Sequence, residues 1–377
     1  MRRVCYVSGT RADFGLIERT LIIADKDPAL EISVCVTGMH LSALHGETVR
    51  EVEKSGLRIC ARIPVDLRDS SGASMAKSIG QALVGLVDAL SAERPQLVMV
   101  LGDRGEMLAG ALAAIHLGIP VVHVHGGERT GTVDEPIRHA ISKLAHVHLV
   151  STAGARERLL RMGERPDRVL ITGAPGLDGL RETRKTARNE LCREQGFDPA
   201  RPVALVIFHP VLQEAACAGR QMAEILAGAL GQSLQILCFA PNSDAGAAAV
   251  RQELAKRASH PDVRVVEHFA RERFVSWMAA ADVMVGNSSA GIIEAASLGL
   301  PVVNVGSRQK ARERSGNVID VEQALHLDVG RAIARSLAAG RSSTSNVYGD
   351  GKASGRIAEI LASFPFDASI LQKTNAY

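Results

Sequence analysis

Aromatic side chains are nearly absent: they make up 3% of the 377 residues, with a single Trp. Any core must therefore rest on Val, Ile, Leu and Ala, and a hydrophobic content of 46% is enough for more than one. Cysteine is scarce and scattered. Cys5, Cys35, Cys60, Cys192, Cys217 and Cys238 form no CxxC pair, so neither a disulfide frame nor a zinc motif is expected. No apolar run approaches a membrane span, and the short run Val4–Ser8 meets Arg11 and Asp13 too soon to be a signal-peptide core. The expectation is a cytoplasmic chain without a membrane partner. Charge of one sign is also lacking: 44 basic residues stand against 41 acidic, with no basic tail or aromatic-rich basic patch, which argues against nucleic acid. No GxGxxG follows the first strand, so a dinucleotide site of that type is not expected.

What the chain does have is alternation. Apolar strands at 4–8, 31–36, 57–65, 97–101, 121–124 and 147–150 are separated by polar loops and helices. After a charged stretch at 181–201 a second series begins, with strands at 203–208, 234–239, 263–266, 283–285 and 302–305. This pattern predicts an α/β chain of two doubly wound, Rossmann-like domains facing a cleft, divided near 175/176, the second running to about 352. Ligands of such sheets bind outside the carboxyl ends of the strands, where the polar loops fall.

The densest of these loops runs from His123 to Lys143, HVHGGERTGTVDEPIRHAISK. It combines His123, His125, Glu128, Asp134, Glu135 and His139 at the end of an apolar strand. Pro136 suits the first turn of a helix, which makes one of Asp134 and Glu135 a capping acid and leaves the other unexplained. The pairs His123/His125 and His146/His148 alternate as metal ligands might be spaced, but no third ligand accompanies them, so no metal is expected. Asp103, after the strand 97–101, is either a helix cap or a second working acid, and Arg104 beside it either pairs with Glu106 or faces the ligand. Arg11 either clamps a phosphate bidentately or is a solvated loop arginine. In the second half, Gly286-Asn287-Ser288-Ser289-Ala290-Gly291 opens a helix with exposed amides, two hydroxyls and a glycine, Gly291, read as permitting close approach of a diphosphate. Glu294 could take both hydroxyls of a ribose or simply be a first-turn acid; Arg308 is a further phosphate candidate, and His209 faces the cleft from a strand end.

Taken together and in order, GTRADFG, TGMHLS, VLGDRGE, HVHGGERTGTVDEPIRHAISK, TGAPGLD, FHP and GNSSAGIIEAASLGLPVVNVGSRQ resemble the hydrolysing UDP-N-acetylglucosamine 2-epimerases of the NeuC type, over about the first 320 residues. The resemblance implies a glycosyltransferase type B-like fold whose last segment, about 353–377, packs back on the first domain, and a homodimer or homotetramer. It implies cofactor-free and metal-free conversion of UDP-N-acetylglucosamine and water to N-acetylmannosamine and UDP, in sialic acid synthesis. The route is loss of the C2 proton with departure of UDP, then addition of water to the resulting 2-acetamidoglucal. By the same resemblance Arg11, Ser288, Ser289 and Arg308 hold UDP, Glu294 its ribose, and His209 lies near the diphosphate. His40 is an active-site histidine, and Asp103 and Asp134 move protons or activate water. Related members often carry glutamate where this chain has His125, so either His125 is the proton carrier or Glu128 swings in. The same chemistry on UDP-2,4-diacetamido-2,4,6-trideoxyglucose or a GDP-sugar (legionaminic acid synthesis) is the alternative substrate reading, and a type B glycosyltransferase the alternative class.

Overall fold

The computed structural model describes residues 1–69, 71–130, 134–242 and 244–376. Seven parallel strands form the first sheet: β1 (Arg2–Ser8), β2 (Leu30–Thr37), β3 (Arg58–Ile63), β4 (Leu97–Leu101), β5 (Val121–Val124), β6 (Val147–Val150) and β7 (Val169–Ile171), in the order β3-β2-β1-β4-β5-β6-β7. Six form the second: β8 (Val203–Ile207), β9 (Gln235–Phe239), β10 (Val263–Val266), β11 (Val283–Gly286), β12 (Val302–Val305) and β13 (Val318–Val321), in the order β10-β9-β8-β11-β12-β13. Helices cover both faces of each sheet, and strands such as β4 and β8 are buried throughout, which is why they read as unbroken apolar runs. Among the described residues no helix is long and apolar enough to cross a membrane.

Two edge strands, β7 and β13, escape sequence reading. Each is short and only partly buried, so neither shows an apolar run. The first helix also starts earlier than its apolar period suggests, at Arg11. Thr10 and Asp13 form a reciprocal capping box that recruits the polar residues into the first turn. The helix Ala353–Ser363 contributes Ile357, Ala358 and Leu361 to the core of the first sheet, against the helix Arg11–Asp25. The cysteines are not scattered in space: parallel pairing of β1, β2 and β3 gathers Cys5, Cys35 and Cys60, a grouping that no sequence spacing reveals.

Strand order reverses between β1 and β4 in the first sheet and between β8 and β11 in the second. These switch points leave a crevice at the strand ends. The loops after β1, β4, β8 and β11 carry Arg11, Asp103-Arg104, His209 and Ser288-Ser289, and the two crevices face each other across one cleft.

Candidate active site

The cleft has a volume of about 510 Å³ and is lined by Arg11, Asp103, Arg104, His125, Asp134, His209, Ser288, Ser289, Glu294 and Arg308. Ten of the thirteen residues singled out above therefore meet in one place. His40, Glu128 and Gly291 do not line it. His40 is fully buried behind the β1 loop, its Nε2 2.9 Å from Ser8 Oγ and its Nδ1 2.9 Å from Thr48 Oγ1. Ser8 in turn donates to Asp13, which also accepts from Tyr6 and from the amides of Gly9 and Thr10. Gly291 has a packing reason for its missing side chain: a Cβ there would lie 3.0 Å from Val302 Cγ1. The glycine lets its helix approach β12.

One wall carries Asp103, Asp134 and His125. Arg138, completely buried, donates to Asp103 Oδ2 and, at 3.0 Å, to the Glu128 carbonyl, which fixes the Asp103 carboxylate at the end of β4. Asp134 starts the helix Asp134–Leu144 and sits 3.9 Å from Arg308, which reaches over from the second domain. Gly131, Thr132 and Val133, in the middle of the dense loop, lie outside the described residues. Among the described residues it is Glu135 that accepts from a loop amide, that of Thr130 at 2.7 Å. His123 points away from the chemistry: Nε2 meets the Gly102 carbonyl at 2.7 Å and Nδ1 meets Ser142 Oγ at 3.0 Å. Burial drives its pKa down to about 3, so it stays neutral and ties β5 to its neighbours.

His125 is arranged differently. Its backbone is left-handed, φ 65°, an uncommon and strained conformation for a residue other than glycine. That turn directs its ring between Glu128 and the cleft. Nδ1 lies 2.6 Å from Glu128 Oε1 and 2.8 Å from Ser151 Oγ, while buried Nε2 has no hydrogen-bond partner among the described residues. An acidic partner at Nδ1 assigns the proton to that nitrogen, leaving the Nε2 lone pair free. Glu128 is 3% exposed and sits behind the ring. Burial opposes its ionisation, but Arg312 at 2.9 Å and the His125 contact outweigh it and bring its pKa to about 2. Glu128 is thus held as a carboxylate that orients His125.

The other wall is cationic. His209 has its Nδ1 3.3 Å from the Asn242 amide, which it accepts, so Nε2 carries the proton. Burial first, then Arg308, Arg104 and Arg11, hold its pKa near 3. Three guanidinium groups from three loops therefore converge on one neutral imidazole. Burial pulls the pKa of Arg11 down to about 10 and lowers that of Arg308, the signature of positive charge held out of water. Such a pocket is complementary to a polyanion. Glu294 is 3% exposed, and Arg271 lies against its buried Oε1 without hydrogen-bond alignment. Phe239, Phe269 and Phe274 stand together as edge-to-face pairs on the same side.

Several functional residues were not found by sequence reading. Arg312 looks like one charge in the basic run Gln309–Arg314, and its partner Glu128 is in the other domain. Asp244, half-buried beside Arg104 and Arg308, follows β9 and could have been found by the strand-end rule that found the others. Arg271 gave no local signal. Gly286, at the end of β11, has φ 131°, and a Cβ there would fall 2.1 Å from the Ile207 carbonyl oxygen. Gly286→Ala is expected to cost at least about 2 kcal/mol and to displace the Ser288-Ser289 turn. Denaturant unfolding checks this; a stability within 0.5 kcal/mol of the parent (about the error of such a measurement) would contradict it.

A profile of the UDP-N-acetylglucosamine 2-epimerase family matches residues 23–362. The chain is 48% identical, over the whole length of both, to a UDP-N,N'-diacetylbacillosamine 2-epimerase (hydrolyzing) of Legionella pneumophila. It is 35% identical to a UDP-N-acetylglucosamine 2-epimerase of Neisseria meningitidis serogroup B, over 85% of this chain and 84% of the other. Among solved structures, an S. aureus MnaA-UDP co-structure has the same fold with a TM-score of 0.79 at 20% identity, covering 96% of each chain.

Proposed function

The chain belongs to the UDP-N-acetylglucosamine 2-epimerase family, and we propose that it acts as a hydrolysing 2-epimerase on a UDP-linked 2-acetamido sugar, releasing UDP and the free C2-epimeric sugar. The observation that carries this reading is the division of one cleft into two walls: Asp103, Asp134 and the His125 Nε2 lone pair on one, and Arg11, Arg104 and Arg308 around His209 on the other. A C2 proton is weakly acidic, so its removal needs a positioned base together with strong stabilisation of the departing diphosphate. The arginine cluster and the His209 N–H supply that stabilisation, with Ser288 and Ser289 beside them. Glu294 takes the ribose hydroxyls, and the phenylalanine cluster borders the base. Asp103 and Asp134 are the principal proton-transfer and water-activating groups. His125 is a third proton carrier, and Glu128 works through it as a positioning residue. Turnover in heavy water should place deuterium at C2 of the product as UDP is released. UDP release without deuterium would sink the C2-proton route, and dependence on an added acceptor would point to a glycosyltransferase.

The sugar's identity rests on the region next to Asp103. There the helix Gly72–Glu93 presents Met75, Ala76 and Ile79, with Leu212 opposite, and this stretch of cleft wall is apolar. A 6-deoxy sugar with two acetamido groups offers a methyl at C6 where N-acetylglucosamine has a primary hydroxyl, and an acetamido methyl at C4 where it has a secondary hydroxyl, which suits this surface better. The full-length likeness to a UDP-N,N'-diacetylbacillosamine 2-epimerase supports the same choice. We therefore favour UDP-2,4-diacetamido-2,4,6-trideoxyglucose over UDP-N-acetylglucosamine, which would place the enzyme in legionaminic-type rather than sialic acid synthesis. Burying one methyl in place of a hydroxyl is worth about 1–3 kcal/mol, so a kcat/KM advantage of roughly 10–200-fold is expected. A comparison of the two UDP-sugars and the GDP-linked counterpart measures it, and equal or better turnover of UDP-N-acetylglucosamine would reverse the assignment.

A further inference from the structure

Cys5, Cys35 and Cys60 lie on the three consecutive strands β1, β2 and β3, on the sheet face covered by the helices Gly72–Glu93 and Gly105–His116. Their sulfurs form a triangle with edges of 3.6 Å (Cys5–Cys35), 3.8 Å (Cys5–Cys60) and 3.3 Å (Cys35–Cys60). The third vertex depends on an irregularity: pairing steps from Val34↔Ile59 to Cys35↔Ala61, so Cys60 is an extra residue on β3, placed beside Cys35 by a bulge. Bulges commonly re-aim a side chain in this way. Cys5 and Cys35 are fully buried, whereas Cys60, on the sheet's edge strand, is half-buried and gives a path from solvent.

From this geometry we propose that the three thiolates bind a thiophilic d10 cation, zinc(II) or copper(I), with one coordination position left for Ser33 or water. The triangle has a circumscribed radius of about 2.1 Å, so an ion at the usual zinc–sulfur distance of about 2.3 Å touches all three sulfurs from about 1 Å outside their plane. All three donors are soft, and soft thiolates select such ions over the hard cations that carboxylates prefer. Cys5 precedes Ser8 by three residues and Cys35 precedes Thr37 by two, so a bound ion would tie together the strands that deliver the Ser8–Asp13–His40 network.

Titration of the reduced, metal-free full-length chain with Cd2+ should show one equivalent bound, with an ultraviolet sulfur-to-metal charge-transfer band, displaced by Zn2+ or Cu(I). Thiol labelling should then protect three of the six cysteines. Cys60→Ser, at the half-buried edge, should weaken Cd2+ binding by at least about tenfold. X-ray absorption of the zinc-loaded parent, which requires no variant to fold, should give three sulfur ligands. Absence of stoichiometric binding, binding unchanged in Cys60→Ser, or fewer than three sulfurs at the ion would each overturn the proposal. Preference for Cu(I) over Zn2+ in competition assigns the ion within the class.

Discussion

Asp103→Asn is expected to lower kcat by about 10²–10⁴-fold while leaving the affinity for UDP unchanged or slightly higher. The carboxylate lies at the end of β4 in the cleft, with one oxygen held by Arg138. Asparagine preserves the shape but can neither accept the proton nor carry the charge. Removing a negative group beside a diphosphate site cannot weaken an anion electrostatically, which sets the sign of the binding effect. Arg138 keeps its bond to the Glu128 carbonyl but loses an anionic partner, so thermal unfolding must be measured alongside. Calorimetric titration with UDP and single-turnover kinetics separate the two parameters. Turnover within threefold of the parent would remove Asp103 from the reaction; equal losses in UDP affinity and rate would make it a structural residue.

Arg312→Ala is expected to destabilise the chain by about 3–5 kcal/mol, because it leaves the buried Glu128 carboxylate without its cation. An independent argument gives a similar size. The Glu128 pKa falls from its ordinary 4.5 to about 2, a shift worth about 3 kcal/mol. A depressed carboxylate pKa contributes stability that is complete above the ordinary value and is lost as pH falls through the folded value. The gap in unfolding temperature between parent and variant should therefore be full at pH 6–7 and narrow between about pH 4.5 and 2. Because Glu128 orients His125, kcat should fall as well, with Arg312→Lys restoring part of both effects. A destabilisation below 1 kcal/mol at pH 7, or a gap that does not close in acid, would show that Arg312 is not what holds Glu128 ionised.

Much of this site was legible in the chain. The strands β4, β5, β6, β10 and β12 have the limits that their largely apolar runs suggest, and all of them but the edge strand β10 are buried throughout. The polar loops after them were recognisable as ligand loops for the same reason, since polar groups at the rim of a buried sheet need a partner. Residues held by a neighbour in sequence leave a local signal. Ser288 caps the helix that it precedes. Residues held by a distant neighbour leave no such signal: Gly291 packs against Val302, and Glu128 pairs with His125 and Arg312.

The sequence by itself determined the class of fold, the position of the cleft and the chemical repertoire facing it. Burial of apolar strands is a local, periodic requirement, written at every second or every residue. Only the tertiary structure decided which groups act on which. Parallel register over a crossover joins residues 25 to 55 apart in one thiol cluster, and the apposition of two domains sets Arg308 on Asp134 and Arg312 on Glu128. Pairings of this kind depend on how whole layers pack, so no local pattern encodes them. His125 illustrates both levels: its residue type was plain in the chain, but a left-handed backbone and a buried carboxylate behind it are what set its ring at the edge of the cleft.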